Sequence, residues 1–145
     1  MKYYDSTFIA SNFAKIIVNM HKDIMLNVDF VIPVPMHKWK RLFRLYNQSQ
    51  ILASALAQEA KIKMLPDVLM KIKHTKSQTG LSKKQRQENL KGSIAVVKKE
   101  VIKGKKVILV DDVMTTGSTV DLCAATLKKA GAKEVVVVCV ARTLI

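Results

Sequence analysis

Cysteine, aromatic residues and long apolar runs are all scarce in this chain of 145 residues, and each scarcity excludes a class of protein. The two cysteines, Cys123 and Cys139, lack metal-ligand spacing, and we interpret both as small buried apolar groups rather than a disulfide. No apolar run approaches the roughly 20 residues of a membrane span. The polar N-terminus lacks a signal-peptide pattern. These absences predict a cytoplasmic protein without a membrane span.

Acidic residues are also few, with 11 Asp and Glu against 25 Lys and Arg, which gives a formal charge of +14. Such a charge suits nucleic acid or an anionic substrate. It equally fits a lysine-rich composition, because runs such as Lys98-Lys99 and Lys103 to Lys106 look like solvated loops. Aromatic residues make up only 6% and do not interleave with the basic ones. Charge alone leaves both interpretations open.

The spacing of apolar residues predicts helices alternating with strands in a single domain, residues 1–145. The alternation indicates an α/β fold with a parallel sheet and helices on both faces. Asp5 or Ser6 is expected to cap the first helix, and Ser82 the third. Helices are predicted at 8–24, 47–60, 82–90 and 119–130, and strands at 29–35, 68–73, 94–97, 107–110 and 135–140.

The stretch from Val107 to Thr119 carries the clearest chemistry. Four apolar residues, typical of a buried parallel strand, are followed by Asp111 and Asp112. Ligands of open α/β sheets bind at the carboxyl ends of such strands, where carboxylates can accept hydrogen bonds from sugar hydroxyls. A Thr-Thr-Gly-Ser-Thr turn then leads into a predicted helix and offers N–H and hydroxyl donors to a phosphate. The pattern therefore suits a ribose that bears a 5-phosphate.

Other interpretations of the same residues are weaker. A Walker B strand would need an upstream GxxxxGK[ST] loop, but Gly104-Lys105 lacks the partner glycine and Lys106 stands where Ser or Thr is required. A receiver domain carries its acid pair after its first strand, whereas most of this chain precedes Asp111. A different sugar-phosphate or nucleotide site, or acids at a strand end by chance, stays open.

The stretch resembles the 5-phosphoribosyl-1-diphosphate (PRPP) motif of the type I phosphoribosyltransferases. The resemblance implies their Rossmann-like parallel sheet, with Asp111 and Asp112 at the ribose 2- and 3-hydroxyls and as catalytic candidates. It implies Mg²⁺ with PRPP, held mainly through substrate oxygens. The implied PRPP-binding residues are Asp111, Asp112, Val113, Met114, Thr115, Thr116, Gly117, Ser118 and Thr119.

A second candidate region follows the strand predicted at 29–35. An enzyme that expels diphosphate must hold it with backbone N–H groups, a metal ion or basic side chains. This loop lies at the carboxyl end of a strand, and its arginines suit bidentate phosphate contacts. A solvated basic loop leading into a helix is the alternative. The diphosphate-loop candidates are Pro35, Met36, His37, Arg41 and Arg44.

Pro33-Val34-Pro35, the basic loop and Arg44-Leu45-Tyr46-Asn47-Gln48 together resemble the ComF/GntX family of phosphoribosyltransferase-like proteins. That family usually has glycine where Leu45 stands. The runs 73–78 and 86–92 resemble its Thr-x-x-Gln and Arg-x-x-Asn elements, in the place of a lid that closes over the active site. The implied lid candidates are Gln78, Arg86 and Asn89.

The family resemblance implies two functions. One is an enzyme that transfers a phosphoribosyl group from PRPP to an unknown acceptor and releases diphosphate. The other is a non-catalytic PRPP sensor or DNA-associated protein, because the family is linked to DNA uptake in competence. Single-stranded DNA or DNA-uptake machinery is then an implied partner. Many members carry a four-cysteine zinc module, but this sequence has no Cys-x-x-Cys, so zinc is not expected.

Overall fold

A computed structural model of the protein describes residues 2–36, 46–72, 80, 82, 84–85, 88 and 91–143. The helices are α1 (Lys2–Met20), α2 (Lys22–Leu26), α3 (Gln48–Ala60), α4 (Lys99–Ile102) and α5 (Ser118–Lys129). The strands are β1 (Phe30–Pro33), β2 (Lys63–Met64), β3 (Leu69–Lys71), β4 (Ile94–Val96), β5 (Lys106–Met114) and β6 (Glu134–Arg142).

Four strands form a parallel sheet in the order β2-β1-β5-β6. The expected β5–α5–β6 unit is present, with both strands side by side. The strands predicted at 68–73 and 94–97 lie outside this sheet, as β3 and β4, and pair antiparallel with each other. They turn Leu69 and Ile94 into the same apolar core, which gives two short strands a buried face without a place in the main sheet.

Both faces of the sheet are covered by helices, which confirms the predicted fold class. Along β1, Val31 faces the layer of α1, α2 and α3, while Ile32 faces the layer of α4 and α5. Ile108 and Leu109 alternate in the same way along β5, and all four side chains have no exposed surface. A strand buried on both faces needs a continuous apolar run, which explains the sequence of β5 up to Val110.

The first helix is present but buries a different face from the one its large residues suggest. Ala10 and Ala14 are buried in the core that also contains α3, since small side chains let two helices approach closely. Ile9 and Ile16 are each 53% exposed. The helix begins at Lys2, so the expected caps Asp5 and Ser6 lie within it. Among the described residues, no helix is long and apolar enough to cross a membrane.

Two segments of the chain around β5 differ from the sequence expectation. β5 continues through Asp111 to Met114 because β6 pairs with it along that whole length. The lysine-rich stretch before β5 contains the short helix α4 rather than a simple turn. At the far end of α5, Gly131 has a φ of +107°, as expected for a glycine after a helix.

We expect Ile108→Ala to destabilise the fold by about 2–5 kcal/mol, because it leaves a cavity in a fully buried position. Ile16→Ala removes the same atoms from an exposed position and should change the free energy of unfolding by roughly 0.5 kcal/mol or less. Urea unfolding of both variants measures the difference. Equal losses in the two variants would contradict the burial described for the sheet.

Candidate functional site

The candidate site lies between β1 and β5, where the order in which successive strands are added to the sheet changes direction. β1 and β5 are neighbours, and the Val34 amide donates to the Val110 carbonyl at 2.8 Å just beyond the paired segment. The helix after β1 packs on one face of the sheet, and the helix after β5 packs on the other. Such a switch point opens a crevice at the carboxyl ends of the two strands. Pro35 and Asp111 are brought to this one edge.

A chain of hydrogen bonds ties the ends of β1 and β5 together. The Ser49 hydroxyl, on the first turn of α3, donates to Oδ1 of Asp111 at 2.9 Å. Asn47 caps the same helix by accepting from the Ser49 amide at 3.1 Å, and its Nδ2 donates to the Val34 carbonyl at 3.1 Å. Ser49 is only 4% exposed. The carboxylate of Asp111 is therefore held in one orientation from across the crevice.

Asn47 and Ser49 were not among the candidate site residues from the sequence. An Asn at the start of a predicted helix signals an N-cap, so the structural role of Asn47 was open to prediction. Nothing local marks Ser49, because its partner Asp111 lies 62 residues away in the chain. Only the pairing of β1 with β5 brings the two side chains together.

Burial raises the pKa of Asp111 to about 6. Loss of hydration is the largest cause, and the nearby Asp112 carboxyl raises the pKa further, while the Ser49 hydroxyl lowers it. The Asp112 amide donates to the same Asp111 Oδ1 at 2.9 Å. A partly desolvated carboxyl at the mouth of a crevice is a common property of binding and catalytic sites.

The turn after β5 presents donors to an anion. Thr115 and Thr116 are exposed, and the Thr116 and Ser118 hydroxyl oxygens lie 3.0 Å apart. Gly117, at the N-cap of α5, has a φ of +80° and provides no side-chain cap. The first-turn amides of a helix and its dipole favour negative charge, so this turn can hold a phosphate. An added Cβ at Gly117 would meet nothing closer than 3.6 Å, so glycine serves the backbone conformation rather than space.

The remaining candidates divide between the described and undescribed parts of the chain. Pro35 and Met36 are half-buried at the crevice edge, and Val113 and Thr119 belong to the segment around the turn. At the start of the helix expected at 82–90, the predicted cap Ser82 accepts from the Gln85 amide at 3.2 Å, and its own amide donates to the Gln85 side chain at 2.9 Å. Outside the described residues lie His37, Arg41, Arg44, Gln78, Arg86 and Asn89.

The two cysteines are free thiols. Cys123 is fully buried under the sheet, as expected, and burial raises its pKa to about 12. Cys139 is half-buried on β6. In the described part of the chain, no group of three or more His, Cys, Asp or Glu side chains could hold a metal ion.

A basic surface lies at the amino ends of the strands, at the opposite end of the sheet from the crevice. The α4–β5 and α5–β6 loops are joined by two hydrogen bonds of 2.8 Å, from the Gly104 amide to the Gly131 carbonyl and from the Lys133 amide to the Lys105 carbonyl. The exposed lysines of these loops and of the last turn of α5 form what we call the lysine cluster: Lys103, Lys105, Lys128, Lys129 and Lys133.

The parallel sheet, the switch point and the acid pair before a Thr-Thr-Gly-Ser turn are together typical of a protein of the phosphoribosyltransferase type. A family model described as "Phosphoribosyl transferase domain" matches residues 45–144. The chain belongs to this family.

Relatives confirm the ComF-like character within that family. The chain is 39% identical to competence protein F of Haemophilus influenzae over 106 residues, which is 72% of this chain and 46% of the relative. It is 34% identical to DNA utilization protein YhgH of Escherichia coli O6:H1 over 116 residues, 80% of this chain and 50% of the relative. The chain thus spans about half the length of the curated relatives it matches.

A solved structure supports the fold. The purine phosphoribosyltransferase from Pyrococcus horikoshii matches 94% of this chain and 73% of its own, with a TM-score of 0.55 and 19% identity. At that identity the match shows the common fold alone.

The raised pKa of Asp111 should make stability fall as pH rises. The unfolded chain loses this proton near its ordinary pKa of 3.8 and the folded chain only near 6, so the folded state binds the extra proton between them. We expect a loss on the order of 2 kcal/mol between about pH 4 and pH 7. Asp111→Asn keeps an oxygen for Ser49 and should remove this loss, so the variant gains stability near neutral pH.

Chemical denaturation across that pH range measures the effect. Asp112→Asn is the comparison variant. It leaves the Asp111 carboxyl in place and removes only the smaller contribution of Asp112 to its raised pKa, so a reduced loss of stability with pH should remain. Parallel pH curves for the wild-type chain and Asp111→Asn would show that Asp111 is not desolvated.

Proposed function

We propose that this protein binds PRPP at the crevice and transfers its phosphoribosyl group, with Mg²⁺, to an acceptor while releasing diphosphate. The observation that carries the proposal is the position of Asp111, fixed by Ser49 at the switch point and followed by the Thr115–Ser118 turn. An oriented carboxylate and a phosphate-binding helix start, a few residues apart, match the two ends of a ribose 5-phosphate.

Asp111 and Asp112 would act on the ribose. Loss of diphosphate builds positive charge on the sugar ring, and fixed carboxylates stabilise such charge best in a site with little water. The partial burial of Asp111 supports that role. Binding of a cationic or hydroxyl-bearing group should favour the ionised form of Asp111, so PRPP affinity is expected to rise through about pH 6.

The diphosphate would lie against the loop after β1. Pro35 and Met36 follow β1, whose Pro33 pairs with Val110 just before Asp111, and His37, Arg41 and Arg44 are proposed from the sequence for the same role. Magnesium often binds through one or two protein groups and substrate phosphates, so a site without a cluster of three protein ligands is compatible with an ion held mainly by PRPP oxygens. Gln78, Arg86 and Asn89 are proposed for the lid.

Calorimetry with PRPP and Mg²⁺ tests the pocket. We expect the double variant Asp111→Asn/Asp112→Asn to bind PRPP at least about a hundredfold more weakly, because it loses two charged hydrogen-bond acceptors. The control Asp23→Asn/Asp67→Asn changes the net charge equally at two exposed acids and should bind like the wild type. A folded wild-type chain that binds no PRPP would overturn the proposal.

Diphosphate release then separates a transferase from a PRPP sensor. Release that depends on an added acceptor, and that the double variant lacks, supports the enzyme. Tight PRPP binding without release across nucleobase and amine acceptors favours the sensor on the same pocket.

A DNA-associated role is the second candidate, and the lysine cluster favours it. The five lysines lie at the amino ends of the strands, opposite the crevice, so a polyanion could bind there without covering the proposed PRPP site. The names of the two relatives, competence protein F and DNA utilization protein, point in the same direction. We propose that single-stranded DNA or a DNA-uptake partner contacts this surface.

Fluorescence anisotropy with a labelled single-stranded oligonucleotide tests this candidate. If about six phosphates are contacted, affinity should fall roughly three-hundredfold between 50 and 200 mM salt. The triple variant Lys105→Gln/Lys129→Gln/Lys133→Gln should lower the salt slope by about two. The control Lys15→Gln/Lys84→Gln/Lys91→Gln removes equal charge elsewhere. Equal slopes for both triple variants would exclude the cluster as the DNA surface.

A further inference from the structure

The outer edge of β6 is an unusually apolar open strand edge. β6 pairs only with β5, and no residue from Glu134 to Arg142 makes a backbone hydrogen bond on the other side within the described residues. Its centre, from Val135 to Val140, is apolar throughout, and Val137 is 39% exposed. Edge strands are usually protected by proline, an inward charge or a bulge, because open N–H and C=O groups pair readily with another strand. This strand has no proline and no charge between its ends.

The charges at the two ends of β6 are opposite and symmetric about Val138. Glu134 and Arg142 each lie four residues from it. If a second β6 runs antiparallel with Val138 opposite Val138, each Glu134 stands across from the Arg142 of the other copy. We propose that β6 pairs in this way with β6 of a second copy of the chain, forming one continuous eight-stranded sheet across a two-fold axis.

This register also keeps the two faces of the sheet in agreement. Val136 lies opposite Val140 of the second copy, and Val137 lies opposite Cys139. Val136, Val138 and Val140 all face the layer of α1 and α3, so the apolar faces of both copies continue into each other. A slip by one residue would turn one copy's core face towards the other copy's opposite layer.

Other charges near the ends of β6 also act on the association of two copies. Lys106 lies 3.6 Å from the Glu134 carboxylate, and both side chains are partly exposed. Lys133 precedes Glu134 on the same loop and is exposed. Each copy also carries a net charge of +14. At about 0.15 M salt this general repulsion is screened beyond roughly 8 Å, while directly opposed charges still interact.

The proposed dimer does not depend on the proposed PRPP chemistry, and it leaves the crevice of each copy accessible. Because the two β6 strands run antiparallel, the two crevices lie at opposite ends of the joined sheet. Strand-edge contacts of this kind bury a small area, so the dimer is expected to be reversible.

Sedimentation equilibrium over a range of concentrations tests the dimer through its end charges. Glu134→Arg and Arg142→Glu, taken singly, place like charges across both ends and should each raise the dimer dissociation constant about tenfold. The double variant Glu134→Arg/Arg142→Glu restores opposite charges and should return the constant to within about threefold of wild type. Lys106→Gln is the matched control, since it removes the 3.6 Å ion pair within one copy and should leave the dimer intact.

A cysteine pair reads the register directly. Val137→Cys places a thiol opposite the native Cys139 of the second copy and should give a disulfide-linked dimer on mild oxidation. Val135→Cys faces Ala141 instead and should give much less. A wild-type chain that stays monomeric at all concentrations overturns the proposal, as does a dimer whose strength is the same in the single and double charge variants.

Discussion

The parallel pairing of β1 with β5 is the contact on which the rest of the molecule depends. Both strands are buried on both faces, so their backbone groups can be satisfied only by each other and by the flanking strands. The helices that follow them leave in opposite directions, which opens the crevice between the strand ends. The same pairing brings α3 beside β5 and so lets Ser49 reach Asp111.

That position has an energetic consequence for Asp111. Its neighbours up to Val110 have no exposed surface, so the carboxyl stands at the border between the apolar core and the open crevice. Partial loss of hydration raises its pKa, and hydrogen bonds from Ser49 and the Asp112 amide only partly offset that cost. A ligand that supplies hydroxyl groups or positive charge would relieve the cost, which gives a physical reason for an acid at this point of a phosphoribosyltransferase fold.

The carboxyl ends and the amino ends of the parallel strands carry different chemical groups. The carboxyl ends of the strands hold the acid pair and the Thr115–Ser118 turn, while the amino ends hold the lysine cluster, on the last turn of α5 and on two loops joined by backbone hydrogen bonds. A polyanion that binds at the amino ends of the strands would therefore leave the crevice free. The outer side of β6 is a third surface, and its apolar centre with opposite end charges suits a second copy of the same strand.

The sequence by itself determined the α/β class, the βαβ unit around α5 and the acid pair before the turn that enters α5, because these are local patterns of apolar spacing and turn chemistry. It could not place β3 and β4 outside the main sheet, since short apolar runs look alike in either setting. It also did not show which face of α1 is buried, where Ala10 and Ala14 lie in the core while Ile9 and Ile16 are exposed. Only the tertiary structure decided that Ser49 holds Asp111 and that β6 stands at an edge, because both depend on strand pairings between distant parts of the chain.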